Sequence, residues 1–151
     1  MTSIDQEIKS KFKDDRQRML VNLMFTAGWL RNLHIDFLKP FDVSPQQFNI
    51  LRILRGAGDW MAMSVVKDRM VEKAPNATRL ADKLLDKGLI ERRRCDDDRR
   101  VVYVQIAKKG LTLLDQIDVK HEEGAGGFLF TENVTQEEAR IVSDLLDKLR
   151  G

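Results

Sequence analysis

The sequence predicts a mainly α fold with one small β-hairpin (α+β), on three observations. Apolar residues recur every three to four positions over most of the 151 residues, as they do in amphipathic helices. That period is lost around residues 89–93 and 101–106, where β-branched residues gather as in short strands. Helix starts and stops bracket the segments, at Ser44-Pro45-Gln46-Gln47, at Gly88 and at Thr135-Gln136-Glu137-Glu138.

From residue 4 to 38 there is no proline, and Gly28 is the single glycine. Ile8, Phe12, Met19, Leu23, Ala27, Leu30 and Phe37 fall at helical spacing, with wider gaps at Arg16 and His34, so one long helix is expected. Nothing nearby in the chain covers its apolar stripe, which should pack on other helices or on a second copy of the chain. A second helix opens at Ser44, with Pro45 in its first turn and Gln47 closing a capping box. Phe48, Leu51 and Leu54 follow, and Gly56 and Gly58 end it.

A third, short helix is expected over 63–72, with Val66 and Met70 inward. Ala74-Pro75-Asn76 reads as a turn, and Pro75 should start a fourth helix that runs to about Lys87. One face of that helix holds Ala77, Leu80, Ala81, Leu84 and Leu85; the other holds Asn76, Arg79, Asp82, Lys83 and Asp86. Gly88 stops it as a left-handed cap. The two strands flank Arg94-Cys95-Asp96-Asp97-Asp98-Arg99-Arg100, too polar for a core and suited to an exposed hairpin tip. After Lys109-Gly110 helical spacing returns through Leu111, Leu114 and Ile117, and Gly124-Ala125-Gly126-Gly127 should weaken that helix. The second capping box opens a last helix carrying Ile141, Val142, Leu145, Leu146 and Leu149. Short helices followed by a hairpin make a winged helix-turn-helix.

Composition narrows the function. The formal net charge is only +2, but residues 64–110 hold 13 Lys/Arg against 8 Asp/Glu, a local +5. A polyanion could be met there with release of its counterions. One cysteine permits no internal disulfide. No apolar run approaches a membrane span of ~18 residues and no signal-peptide core is present, so a cytoplasmic protein without membrane contact is expected. Two His, one Cys and scattered carboxylates form no metal spacing, and no Gly-rich phosphate loop occurs. No catalytic site, metal or cofactor is expected, and the chain is not read as an enzyme.

If the fourth helix enters a major groove, its first turn must carry the contacts. Asn76, Thr78 and Arg79 stand there after Pro75, with Lys83 one turn on. An arginine can grip guanine through two hydrogen bonds, worth about 1–3 kcal/mol of discrimination. At the hairpin tip Arg94, Arg99 and Arg100 suit a minor groove, whose negative potential attracts inserted arginine. Asp98 is placed to hold and aim Arg100. Arg92, Arg93 and Arg94 could add phosphate contacts, although strand alternation sends Arg93 to the opposite face. The competing reading is a helical interaction module whose basic segment binds an acidic partner; salt-dependent binding to duplex DNA separates the two.

The stretches Pro75-Asn76-Ala77-Thr78-Arg79-Leu80-Ala81-Asp82-Lys83-Leu84, Lys87-Gly88-Leu89-Ile90 and Asp98-Arg99-Arg100-Val101-Val102-Tyr103-Val104 resemble the MarR family of bacterial regulators. The likeness extends over 44–54 and on to Gly110, and the order of elements agrees over nearly the whole chain. It implies a double-stranded-DNA-binding repressor, a homodimer on a pseudo-palindromic operator. It also implies an N-terminal dimerisation helix over 1–42, a winged lobe over 43–110 and C-terminal dimerisation helices over 111–151, within one structural domain. The family's Asp-x-Arg falls on Asp98 and Arg100, whereas Ala107 stands where the family often has threonine.

Members of that family often respond to phenolic or lipophilic small molecules, or to cysteine oxidation. For such an effector the candidate lining is Trp29, Leu33, His34 and Phe37 with Trp60 and Met61, His34 supplying a polar contact. Cys95, between Arg94 and two aspartates, shows no sign of activation, and a redox role is not expected.

Overall fold

The computed structural model describes residues 2–73, 75–95, 98, 100–123 and 132–151. In chain order it holds α1 (Ile4–Glu7), α2 (Asp15–Leu38), a 3₁₀ turn (Lys39–Phe41), α3 (Pro45–Ala57), β1 (Met61–Ala62), α4 (Met63–Arg69) and α5 (Ala77–Asp86). Then follow β2 (Ile90–Arg94), β3 (Val102–Ile106), α6 (Lys108–Glu122) and α7 (Gln136–Arg150).

The single N-terminal helix expected from the sequence is divided in two. Lys9 turns left-handed at φ 49°, and a new helix starts after Asp14. Asp14 accepts a hydrogen bond from the Gln17 amide at 2.8 Å, and Gln17 in turn accepts one from the Lys13 amide at 2.7 Å. This reciprocal cap competes with continuation of the helix, and Lys9 and Lys13, four apart, would repel one another along it. The expected capping boxes at Ser44 and Thr135 are both formed. The helix read over 63–72 stops earlier, where Met70 is already extended at ψ 135°. The helix read from Gly110 onward instead begins at Lys108, with Ala107 as its cap and no side-chain hydrogen bond there. A threonine or serine at that cap would typically contribute about 1 kcal/mol. The Gly124–Gly127 cluster lies outside the described residues.

β3 is the centre of a three-stranded antiparallel sheet, ordered β1-β3-β2. In the hairpin Arg92 faces Val104, Arg93 faces Tyr103 and Arg94 faces Val102; on the other edge Met61 pairs with Val104 and Ala62 with Tyr103. β1 was not expected, since two residues carry no periodicity. One core ties the lobe together: Ile50, Leu51 and Leu54 of α3, Val66 of α4, Ala77 and Leu84 of α5, Val104 of β3, and Leu114 and Ile117 of α6. Gly88, at φ 70°, turns α5 into β2, a conformation that L side chains rarely adopt. Against this lobe the terminal helices are bare. Only Leu38 is buried along α2, and no residue of α7 is.

Candidate nucleic-acid interface

α5 is strongly one-sided. Ala77, Ala81 and Leu84 lock its inner face into the core, while Thr78, Arg79 and Lys83 are exposed. Pro75 lies two residues before the helix and does not open its first turn, because Asn76 takes the cap position at φ −98°, ψ 20°. Asn76 makes no side-chain cap bond, and its carboxamide is not consumed by the helix. The exposed first turn therefore presents an amide, a hydroxyl and a guanidinium in sequence.

The hairpin closes through the Cys95 amide donating to the Val101 carbonyl at 3.0 Å, and the Val101 amide to the Asp98 carbonyl at 2.9 Å. The Asp98 carboxylate accepts from the Arg100 amide at 3.0 Å and from Arg100 Nε at 3.4 Å. Arg100 is thereby aimed, yet its side chain stays 94% exposed and ready for a partner. Arg94 is exposed, and Arg99 lies outside the described residues. On the inner face Arg92 bonds Asp82 of α5 at 2.5 Å and ties the wing to the helix. Thr78 and Arg100 meet along one groove of about 530 Å³, together with Ser64 and Lys67 of α4. Sequence reasoning missed Ser64 and Lys67. The signal was a basic residue on the first helix of the helix-turn-helix, the one that crosses the phosphate backbone.

The six residues expected around a single ligand pocket separate. His34 lines a cavity of about 710 Å³ between α2, α3 and α6, with Phe48, Arg52, Val71, Asp118 and His121. The Phe37 and His121 ring centres lie 4.2 Å apart with the planes tilted by 45°, and Leu33 is half-buried on the same helix as Phe37. Trp29 is 44% exposed, and β1 carries Trp60 and Met61 away to the sheet. His121, absent from the expected set, comes from α6, a helix the sequence did not link to His34.

Burial lowers the pKa of His34 below the ordinary 6.5, and the nearby His121 lowers it further. Burial also lowers His121, against the opposing pull of Asp118. The folded chain thus binds fewer protons than the unfolded one, so stability should be full above pH 6.5 and fall as the pH drops below it. A thermal midpoint lower at pH 5 than at pH 7, with a flatter dependence in His34→Gln and His121→Gln, is the expected result. An equal slope in both variants would assign the effect to other groups.

The MarR family model matches residues 43–102, from the lead into α3 through the wing. The multiple antibiotic resistance protein MarR of Salmonella typhimurium is 30% identical over 119 residues, covering 76% of this chain and 78% of that protein. Among solved structures, the MarR transcription factor from Planctomyces limnophilus is 30% identical, with TM-score 0.67 over 92% of this chain and 95% of that one. A cysteine-to-serine mutant of MarR from E. coli, solved in complex with operator DNA, shares the fold at TM-score 0.77 and 23% identity, over 93% and 99% of the two chains. No helix among the described residues is long and apolar enough to cross a membrane. With the family's pattern on α5 and the wing, and the likeness running through most of the chain, this protein belongs to the MarR family of DNA-binding transcription regulators, which are not enzymes.

Proposed function

We propose that the protein is a cytoplasmic repressor that grips a pseudo-palindromic operator as a homodimer and lets go when a small lipophilic or phenolic ligand binds. The observation that carries this reading is the set of exposed large apolar side chains on both terminal helices. Met19, Met24, Phe25 and Trp29 of α2 are 43–67% exposed, and Ile141, Val142, Leu145 and Leu149 of α7 are 46–58% exposed. Large apolar side chains exposed in this number are rare on a monomer and mark an interface. A second copy is the natural cover, because two-fold DNA sites are read by two-fold proteins. Residues 1–42 and 111–151 then serve as the dimerisation region and 43–110 as the reading lobe. Pro75, Asn76, Thr78, Arg79 and Lys83 meet the major groove or its phosphates, and Arg94, Asp98, Arg99 and Arg100 form the second grip in the minor groove.

Leu145→Glu tests this reading. It should convert a sedimenting dimer to monomer and weaken operator binding by about 10²-fold or more, since the second half-site loses its tether. A wild-type chain that sediments as a monomer yet binds a palindrome tightly would contradict it. The ligand is assigned to the cavity between α2 and the lobe, lined by His34, Phe48 and His121. Release requires that the ligand favour one arm–lobe arrangement over the other. Planar aromatic compounds that enter the cavity, yet leave operator affinity unchanged, would remove this part of the proposal.

A further inference from the structure

The outer face of the sheet holds a cluster that none of the contacts above uses. Arg93 points away from the groove, as the alternation of β2 requires, and its guanidinium lies 4.4 Å from the centre of the Trp60 ring. The same guanidinium is 5.7 Å from the ring of Tyr103, its direct partner across the hairpin. Tyr103 pairs on its other side with Ala62 of β1. Trp60 immediately precedes β1, and β1 runs without a break into α4. A cation held by two aromatic rings thus links all three strands, joining the wing on one side to the first helix of the helix-turn-helix on the other. Arg92 makes the matching tie on the inner face, through Asp82. Two adjacent arginines on opposite faces therefore tie the wing to the reading helix on one side and, through Trp60 and Tyr103, to the strand that leads into α4 on the other.

We propose that Trp60, Arg93 and Tyr103 act as a positioning brace: they set the angle of the wing, and so operator affinity, without touching DNA. The inference rests on the reading of Arg100 as a groove contact, because the brace acts by holding that tip in place. A flexible hairpin would still carry Arg100, but the arginine would have to be ordered each time it entered the groove. Arg93 is spent on the two rings and is not a phosphate ligand, which separates it from Arg94 and Arg100 on the same wing.

The test is operator affinity as a function of salt for Trp60→Ala, Trp60→Phe, Arg93→Gln, Arg100→Ala and the double variant Trp60→Ala/Arg100→Ala. Trp60→Ala and Arg93→Gln should each weaken binding by about 3- to 10-fold, the free energy of one or two cation–π contacts, with the salt slope unchanged. Trp60→Phe, which keeps a ring over the guanidinium, should restore most of the loss. Arg100→Ala should reduce the salt slope by about one, as a lost phosphate-level contact does. The double variant should bind no worse than Arg100→Ala alone. Wild-type affinity in Trp60→Ala, a salt slope reduced in Arg93→Gln, or a double variant with the product of the two losses would each overturn the brace. If Trp60→Ala does not fold, Arg93→Gln, an exposed change, gives the same readout. Arg100→Ala without effect removes the wing reading and the brace together, whereas a weakened Arg100→Ala beside an intact Trp60→Ala removes the brace alone.

Discussion

Gly110→Ala is expected to destabilise the lobe by about 3 kcal/mol, at the upper end for overpacking, because what it meets is backbone. A β-carbon at Gly110 would sit 2.3 Å from the Leu89 carbonyl oxygen and 2.8 Å from Ile106 Cγ1. The carbonyl, being backbone, cannot yield as a side chain can. Leu89 is 4% exposed, and its carbonyl already accepts the Ala107 amide at 3.0 Å, the bond that seats the start of α6. Relief would mean lifting α6 off the hairpin, which would also disturb Leu114 and Ile117 in the core. For a chain of this length the shift in melting temperature should be about 10 °C. Gly56→Ala, with nothing within 4 Å of the added carbon, is the control and should be neutral or stabilising by up to about 1 kcal/mol. Thermal unfolding of the two variants decides the matter. An unchanged midpoint for Gly110→Ala would mean that α6 does not approach the hairpin as described.

Arg79→Ala should leave the fold intact and cost operator affinity about 10- to 100-fold, the range of one bidentate contact to guanine. The fold should survive because Arg79 is exposed, while Ala77 and Leu84, which anchor its helix, are fully buried. The loss should be selective. Specificity relaxes at one base pair of each half-site, and binding to unrelated duplex changes far less. Arg100→Ala should instead weaken binding more evenly across sequences. Titration of both variants against the operator and a scrambled duplex distinguishes the two roles. If both bind the operator as the wild type does, the groove assignment is wrong.

Features set by neighbouring residues were legible in the sequence, and features set by distant partners were not. The capping boxes at Ser44 and Thr135 involve residues three apart, and both were read directly. The one-sidedness of α5 and the turn at Gly88 are equally local. The division of the first helix was also encoded locally, in Asp14 and Gln17 beside the gap at Arg16, but helical apolar spacing on both sides masked it. β1 has no signature of its own; Met61 and Ala62 are extended because β3 offers them an edge. That pairing carries Trp60 away from the arm and toward Arg93, which is why the expected ligand set divided. His34 and His121 are 87 positions apart in the chain and meet only after α6 packs beside α2 and α3. The wing tip was half legible. The Asp98–Arg100 bond spans two residues and was foreseen, whereas the tie from Arg92 to Asp82 needed the hairpin's orientation.

The central claim is that two copies of this chain read a two-fold site through α5 and the wing. Selection of bound duplexes from a random pool, followed by measurement of the number of chains per selected duplex, tests it most directly. The account predicts an inverted repeat with half-site centres about one helical turn, or about 10 base pairs, apart, bound by two chains. An asymmetric site held by one chain, or no enrichment of any sequence, would contradict it.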